Sequence, residues 1–379
     1  MLTSFQFKDG VFMVTTWRSS PTIFISPNFL PELKKLPDAT LSMEAAVDES
    51  METKSTKIET PVPIIPYTIK GELTPSLSRL SLTIASEVRD SMNLTMPPCD
   101  DWTEFNIHHA LLRIVGMVSG RMFISPELCH SEQYLDAAIN YTMEVMGAQR
   151  AVQNMRPWLR PFRAQSLPEL IDRKDKFPDK DSQNLAKVQL GLTFAAVHTT
   201  TLTATNCVEL REKARKVLSQ SGGQFTSNVL QSMKKMDSFL KETLRVHPAT
   251  MASFQRKVLK PFTLSNGQVI PAGVTIEIPA VAVSSDPNVF PHAEKFDPLR
   301  FYRLRTETKD GGVTFGYGRH ACPGRFFAAN EIKMILAHAL LQYDVKNIGG
   351  ATERCPNMEF AHMSIPDPSN KLLFKSIEI

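Results

Sequence analysis

Phe315-Gly316-Tyr317-Gly318-Arg319-His320-Ala321-Cys322-Pro323-Gly324 carries the strongest chemical signal in the chain. Two glycines, an aromatic pair and a cysteine followed by Pro-Gly crowd into ten residues, directly before an apolar-periodic run from Gly324 to Leu341. Gly316 and Gly318 let the backbone turn sharply and approach a flat ligand without a Cβ in the way. The run that follows is helical in period, so Cys322 is delivered to a helix N-terminus. Free N–H groups and the positive end of the helix dipole stabilise a thiolate there.

Outward from this loop, composition sets the bounds. Hydrophobic residues make up 42% of the 379, enough for a large buried core. The length exceeds a typical domain, yet helical enzymes of this size fold as one unit, and a single domain over residues 1–379 is expected. A net charge of +4 is too slight to point to nucleic acid. The cysteines at 99, 129, 207, 322 and 355 are odd in number and scattered, with no CxxC pair, which indicates a reducing compartment. No run of about 18 apolar residues occurs, and Met1-Leu2-Thr3-Ser4-Phe5-Gln6-Phe7-Lys8 is neither a signal peptide nor a membrane span. The expectation is a soluble or peripheral protein.

Periodicity predicts a mainly α chain with a minor sheet. Gly10–Trp17 and Thr22–Ile25 alternate as short strands, and residues 36–66, polar, acidic and proline-punctuated, read as loop. Helical patterns run from Leu73 to about Met92, Phe105 to Phe123, Tyr134 to Leu159, Leu185 to Leu218 and Ser227 to Val246. Residues 172–183 form a mixed-charge connector. Strand-like pieces return between Phe254 and Val283, with Ser265-Asn266-Gly267 as a hairpin turn.

Two further constellations stand out. In Lys241-Glu242-Thr243-Leu244-Arg245, Glu242 and Arg245 lie at i and i+3 on one helix face and can pair. Alone that is an ordinary surface ion pair, worth about 0–1 kcal/mol. Thr193-Phe194-Ala195-Ala196-Val197-His198-Thr199-Thr200-Thr201 places small residues and threonines mid-helix, where hydroxyls can bond back to the i−4 carbonyl and loosen the helix around a small ligand. The bland reading is a buried helix with tolerated threonines. Elsewhere there is no HExxH, P-loop or GxSxG, and adjacent His108 and His109 diverge by about 100° on a helix, a poor metal pair. Met233, Met236 and Phe239 fit a core stripe.

The cysteine stretch resembles the haem-binding loop of the cytochrome P450 monooxygenases, whose thiolate-ligated haem activates oxygen. The resemblance implies haem b with Cys322 as axial ligand, within a haem core of about 185–345. Glu242, Arg245 and Arg300, the last in Phe296-Asp297-Pro298-Leu299-Arg300-Phe301, match the family's buried three-way ion network, a structural role. Thr199 matches a threonine that helps deliver protons to oxygen, and His198 stands where an acid is usual, a candidate proton relay. Ala196 replaces a usual glycine. His-Thr-Thr resembles a fungal branch of secondary metabolism that includes ent-kaurene-oxidase-like enzymes. Arg256 and His320 match basic residues that meet haem propionates. Phe315 matches the aromatic beside the sulfur, and Gly318 and Gly324 match the loop glycines. The usual tryptophan and arginine of an early helix have no clear counterpart, leaving Tyr67 or Lys70 as substitutes.

What the resemblance implies for activity is insertion of one oxygen atom into an apolar, terpenoid-like metabolite. Electrons would come from NADPH through a P450 reductase, at a peripheral site on the endoplasmic reticulum. The chain is also shorter than the family's usual length. An N-terminal anchor is missing, and the spans Arg163–Gln183, Thr199–Glu242 and Phe301–Phe315 are compressed. The alternative is therefore a non-catalytic haem binder or a non-functional remnant.

Overall fold

Helices account for more than half of the described residues, and their buried positions follow the sequence period. In the computed structural model, residues 10–16, 18, 20–56, 64–160, 180–219, 234–304, 315–351, 353–360 and 363–377 are described. The Thr74–Thr95 helix, with a proline in its first turn, buries Leu77, Ser81, Ile84, Val88 and Met92 on one stripe. A five-residue π-helical turn, Ile69–Leu73, leads into it. Ile107–Phe123 starts where the Asn106 side chain accepts the His109 amide at 2.9 Å, and it is buried along most of its length. The longest helix, Lys180–Glu209, packs against Ile107–Phe123, Glu132–Asn154 and the Arg325–Gln342 helix behind Cys322. Ile114, Val118, Val197, Ala204, Phe239, Ile335 and Leu336 belong to the resulting core.

A second core sits under a five-stranded sheet ordered 11–14, 22–25, 275–278, 253–258, 41–42. Thr22–Ile25 pairs parallel with Thr275–Ile278 and the other pairs are antiparallel. The alternating burial of Ser253–Val258 gives that strand one buried face, Phe254, Arg256 and Val258, and one half-exposed face. The turn at Ser265-Asn266-Gly267 closes the Phe262–Thr263 and Val269–Ile270 hairpin, with Gly267 at φ +85°.

Two readings of the sequence change. Residues 36–66 are not simply loop. Leu41–Ser42 adds a strand to the sheet, and helices Met43–Ser50, Thr53–Thr56 and Ile64–Thr68 follow. Ser42 Oγ caps the first of these by accepting the Ala45 amide at 3.1 Å, and Glu49 takes Lys257 Nζ at 2.7 Å. Local polarity hid a helix held by partners two hundred residues away. The long pattern from Leu185 begins earlier, at Lys180, so the last residues of the charged connector are helical, and it breaks at Leu210 before Arg211–Ser219. Of the helical pattern from Ser227 to Val246, Lys234–Val246 is a helix as expected, and residues 227–233 lie outside the described residues. Past Leu341 the periodicity gave no elements, yet Tyr343–Asn347, Met358–Phe360, Met363–Ile365 and Lys371–Ser376 are strands. Trp17, Met233, residues 172–179 and much of the compressed spans lie outside the described residues.

Candidate active site

The cysteine loop closes on itself. The Cys322 amide donates to the Phe315 carbonyl at 2.8 Å, and Gly318–His320 forms a short 3₁₀ turn closed by Ala321 N–H to Gly318 O at 3.1 Å. Gly316 and Gly318 have φ of +75° and +72°, which only glycine adopts freely. Phe315 packs on the helical core. Gly324 caps Arg325–Gln342 at an ordinary φ of −82°, and a Cβ on it would meet nothing within 4 Å. Nothing in the protein itself calls for glycine there, whereas close approach of a flat ligand does. Cys322 is unpaired and exposed on one side. The loop behind it pushes the thiol above its ordinary pKa by desolvation. The amides of Gly324 and Arg325 and the Arg325 guanidinium pull the other way. Several donors aimed at one sulfur with an open face suit a metal-bound thiolate.

Beside the loop, the sheet contributes Arg256. A register shift between Ser253 and Arg256, with Phe254 at φ +54°, bulges the strand. The bulge seats the Arg256 guanidinium 4.3 Å over the Phe254 ring, buried, where its Nη1 donates to the Gln255 carbonyl at 2.7 Å, its one hydrogen-bond partner among the described residues. Burial lowers its pKa to about 10, and Asp38 acts in the opposite sense. Phe254, Arg256, Tyr317 and His320, with Leu33 and Lys34, line one small cleft. A buried cation lacking a close carboxylate partner fits an incoming carboxylate. His320 is differently placed: its Nε2 lies 3.1 Å from Asp38 Oδ1, and Arg319 Nη2 donates to the same oxygen at 2.6 Å. Burial opposes the Asp38 carboxylate, but hydrogen bonds from Arg319 and His320 hold its pKa below the usual range. Asp38 was invisible in the sequence because it lies in the stretch read as loop. Of Tyr67 and Lys70, Tyr67 points to solvent at 77% exposure, while Lys70 Nζ reaches the Arg319 carbonyl at 3.0 Å.

Behind the loop, Glu242, Arg245 and Arg300 come together. Glu242 is fully buried and takes Arg245 Nε and Nη2 at 2.9 and 2.8 Å, and Arg300 Nε at 3.1 Å to each oxygen. The Asp297 amide adds a bond at 2.9 Å. The remaining guanidinium donors go to the carbonyls of Ser284, Pro291, His292 and Lys295. One carboxylate thus joins two helices and the segment between them.

On the long helix the two predicted neighbours part company. Thr199 is exposed, and its Oγ1 donates to the Ala195 carbonyl at 2.7 Å. Thr201, Thr203 and Thr205 make the same i−4 bond, yet Lys180–Glu209 is one helix without a break. The half-buried His198 turns instead to the neighbouring helix, with Nε2 3.0 Å from the Ile139 carbonyl. Burial lowers its pKa and this bond opposes the shift.

The donor set fits a haem: an open cysteine at a helix N-terminus, an unhindered Gly324 and an uncompensated Arg256. Comparisons with known proteins agree. A cytochrome P450 monooxygenase of Stachybotrys chlorohalonatus is 38% identical over 426 residues, covering 94% of this chain and 89% of the relative. One of Penicillium roqueforti is 31% identical over 437 residues, covering 98% and 81%. Both spans exceed the 379 residues of the chain, so each relative carries segments within the matched region that have no counterpart here. The heme domain of cytochrome P450DA superposes with a TM-score of 0.70 at 14% identity, covering 99% of this chain and 91% of that one. Retinoic acid-bound cyanobacterial CYP120A1 gives 0.70 at 17%, covering 99% and 93%. These two likenesses establish the fold, mostly helical with small sheets. The family description Cytochrome P450 matches residues 111–374, which take in the cysteine loop, the ion network and the threonine helix, and the chain therefore belongs to the cytochrome P450 family of haem-thiolate, oxygen-incorporating oxidoreductases.

Proposed function

We propose that this protein is a fungal-type monooxygenase that inserts one oxygen atom from O₂ into an apolar, terpenoid-like secondary metabolite, with electrons from NADPH through a P450 reductase. The observation that carries the reading is Cys322, open on one side and faced by the Gly324 and Arg325 amides at the head of a helix. When bound, haem supplies the oxygen activation, which thiolate ligation favours. Cys322 would hold the iron, and Arg256 would neutralise a haem carboxylate. Thr199 Oγ1 donates to Ala195 and, as a hydroxyl, still has lone pairs to accept a proton-bearing water on its exposed side. Side chains around this helix and the Thr250–Phe254 segment would line an apolar pocket. Substrate class rests on the His198-Thr199-Thr200 resemblance and is read by titration: a terpenoid substrate shifts the haem spin state. Attachment to the endoplasmic reticulum would be peripheral in this form; among the described residues no helix is long and apolar enough to cross a membrane.

The test is the reduced carbon-monoxide spectrum of protein expressed with haem precursor. A thiolate-type Soret band in the parent chain and its loss in Cys322→Ala are expected. A band unchanged by that substitution would overturn the reading. A second reading, a haem binder without turnover, is favoured by one observation: aligned relatives run longer than this chain inside the matched region. It predicts the same band with NADPH consumed only to peroxide, and product formation separates the two.

A further inference from the structure

Away from the cysteine loop, three side chains of different chemistry meet where two helices and a loop converge. Glu87 comes from the Thr74–Thr95 helix, and Cys129 and His130 come from the turn between Ile107–Phe123 and Glu132–Asn154. One oxygen, the sulfur and one imidazole nitrogen all lie within 4.8 Å of one another, the one such grouping among the described residues. We propose that Glu87, Cys129 and His130 form a binding site for a thiophilic divalent cation of the zinc type, separate from the haem site.

The chemistry of the set selects the ion. Carboxylate, thiolate and imidazole together suit a borderline-soft, tetrahedral cation, and exclude magnesium and calcium, which take oxygen ligands. The carboxylate is oriented from behind, since Ser91 Oγ donates to Glu87 Oε1 at 3.0 Å. Such outer partners fix a ligand for its metal. Burial differs usefully across the set. Cys129 is fully buried and the Glu87 side chain is 9% exposed, whereas the His130 side chain is 37% exposed and leaves a route in for the ion and a fourth, water ligand.

The geometry needs small movements. His130 Nε2 now lies 2.8 Å from Glu87 Oε1 as an ordinary hydrogen-bonded pair. Two ligands at about 2.0–2.1 Å on a tetrahedral ion are separated by roughly 3.3 Å. The exposed imidazole would move out by about half an ångström, and the sulfur would draw in. Cys129 Sγ–H donates to the Pro126 carbonyl at 3.3 Å, so binding exchanges the S–H bond for S–metal and releases that proton to solvent. Burial and the Glu87 charge raise the thiol pKa, as does Glu127, while Arg121 lowers it. Arg121 Nε is 4.0 Å from Glu87 Oε2 and keeps the anionic set from overcharging the pocket.

The probe is zinc alone, with the haem-loaded full chain, so that Cys322 is already committed. Equilibrium dialysis followed by metal analysis should find one zinc per chain besides the haem iron. The thermal midpoint should rise with zinc concentration. His130→Gln, at a part-exposed position, and Cys129→Ser should each weaken zinc binding by at least about tenfold and abolish the midpoint shift. The carbon-monoxide spectrum should not change in either variant. No stoichiometric zinc in the parent protein, or equal retention in both variants, overturns the site.

Discussion

Thr199 and His198 are adjacent in sequence and about 100° apart around their helix, and that angle separates their tasks. Thr199 presents a hydroxyl on an exposed face of a helix otherwise packed into the core. Thr199→Ala should therefore keep haem and the carbon-monoxide band, because the side chain is no ligand. NADPH should still be consumed while product per NADPH falls and peroxide rises; loss of general acid assistance is typically worth about 10²–10⁴-fold. Normal coupling in that variant would return the threonine row to a packing role. His198, bound to the Ile139 carbonyl, is placed to fix the rotation of the helix. His198→Gln retains a donor for that carbonyl and should stay coupled, whereas His198→Ala should lose about 1 kcal/mol of stability, read from chemical unfolding. Uncoupling in His198→Gln comparable to Thr199→Ala would show instead that the imidazole handles protons.

At the scale of elements, the Glu242 clasp joins Lys234–Val246 to Arg300–Arg303 and to the segment before it. Removing one partner of a buried ion network costs about 3–5 kcal/mol, because the others stay buried without a counter-charge. Glu242→Gln should give little haem-loaded protein, measured as the haem-to-protein ratio, and recovery at the parent level would make the clasp dispensable. Local pattern made only the i, i+3 pair of Glu242 and Arg245 legible, as an ordinary surface pair; Arg300 and the burial of the network came from the family resemblance alone. The cysteine loop was legible because positive φ at Gly316 and Gly318 demands glycine on the spot. What escaped depends on distant partners. Helix Met43–Ser50 looks like loop until Lys257 and the sheet edge are supplied, and Asp38 means nothing until Arg319 and His320 arrive. Of the four short C-terminal strands, Lys371–Ser376 pairs across the fold, lying between Thr103–Asn106 and Tyr343–Asn347, while Met358–Phe360 and Met363–Ile365 pair with each other as a small hairpin. No local period marks such strands.

Taken as one molecule, the protein stores a pH dependence in two histidines that the chemistry does not use. Burial pushes the His108 pKa down to about 4, with His198 and His109 adding to the shift. Burial also pushes His247 down to about 3, assisted by Arg354, Lys213 and Arg245. Both remain neutral in the folded state while the unfolded chain binds protons on them from about pH 6.5 downward. The unfolded state then holds more protons, so stability is fully present above pH 6.5 and is lost as pH falls toward 4 and 3. For His108 the shift corresponds to about 3 kcal/mol across that window. The neutral form is costly as well as pH-dependent, since His108 Nδ1 is buried without a hydrogen-bond partner. Thermal midpoints of the haem-loaded protein, taken at one scan rate from pH 7 to pH 4, should fall steadily. His108→Gln carries no titrating group and should flatten the upper part of that decline. A parent profile that stays level from pH 6.5 to 4 would mean that the core between Ile107–Phe123 and the long helix admits the proton without opening, and the two histidines would then have no part in acid lability.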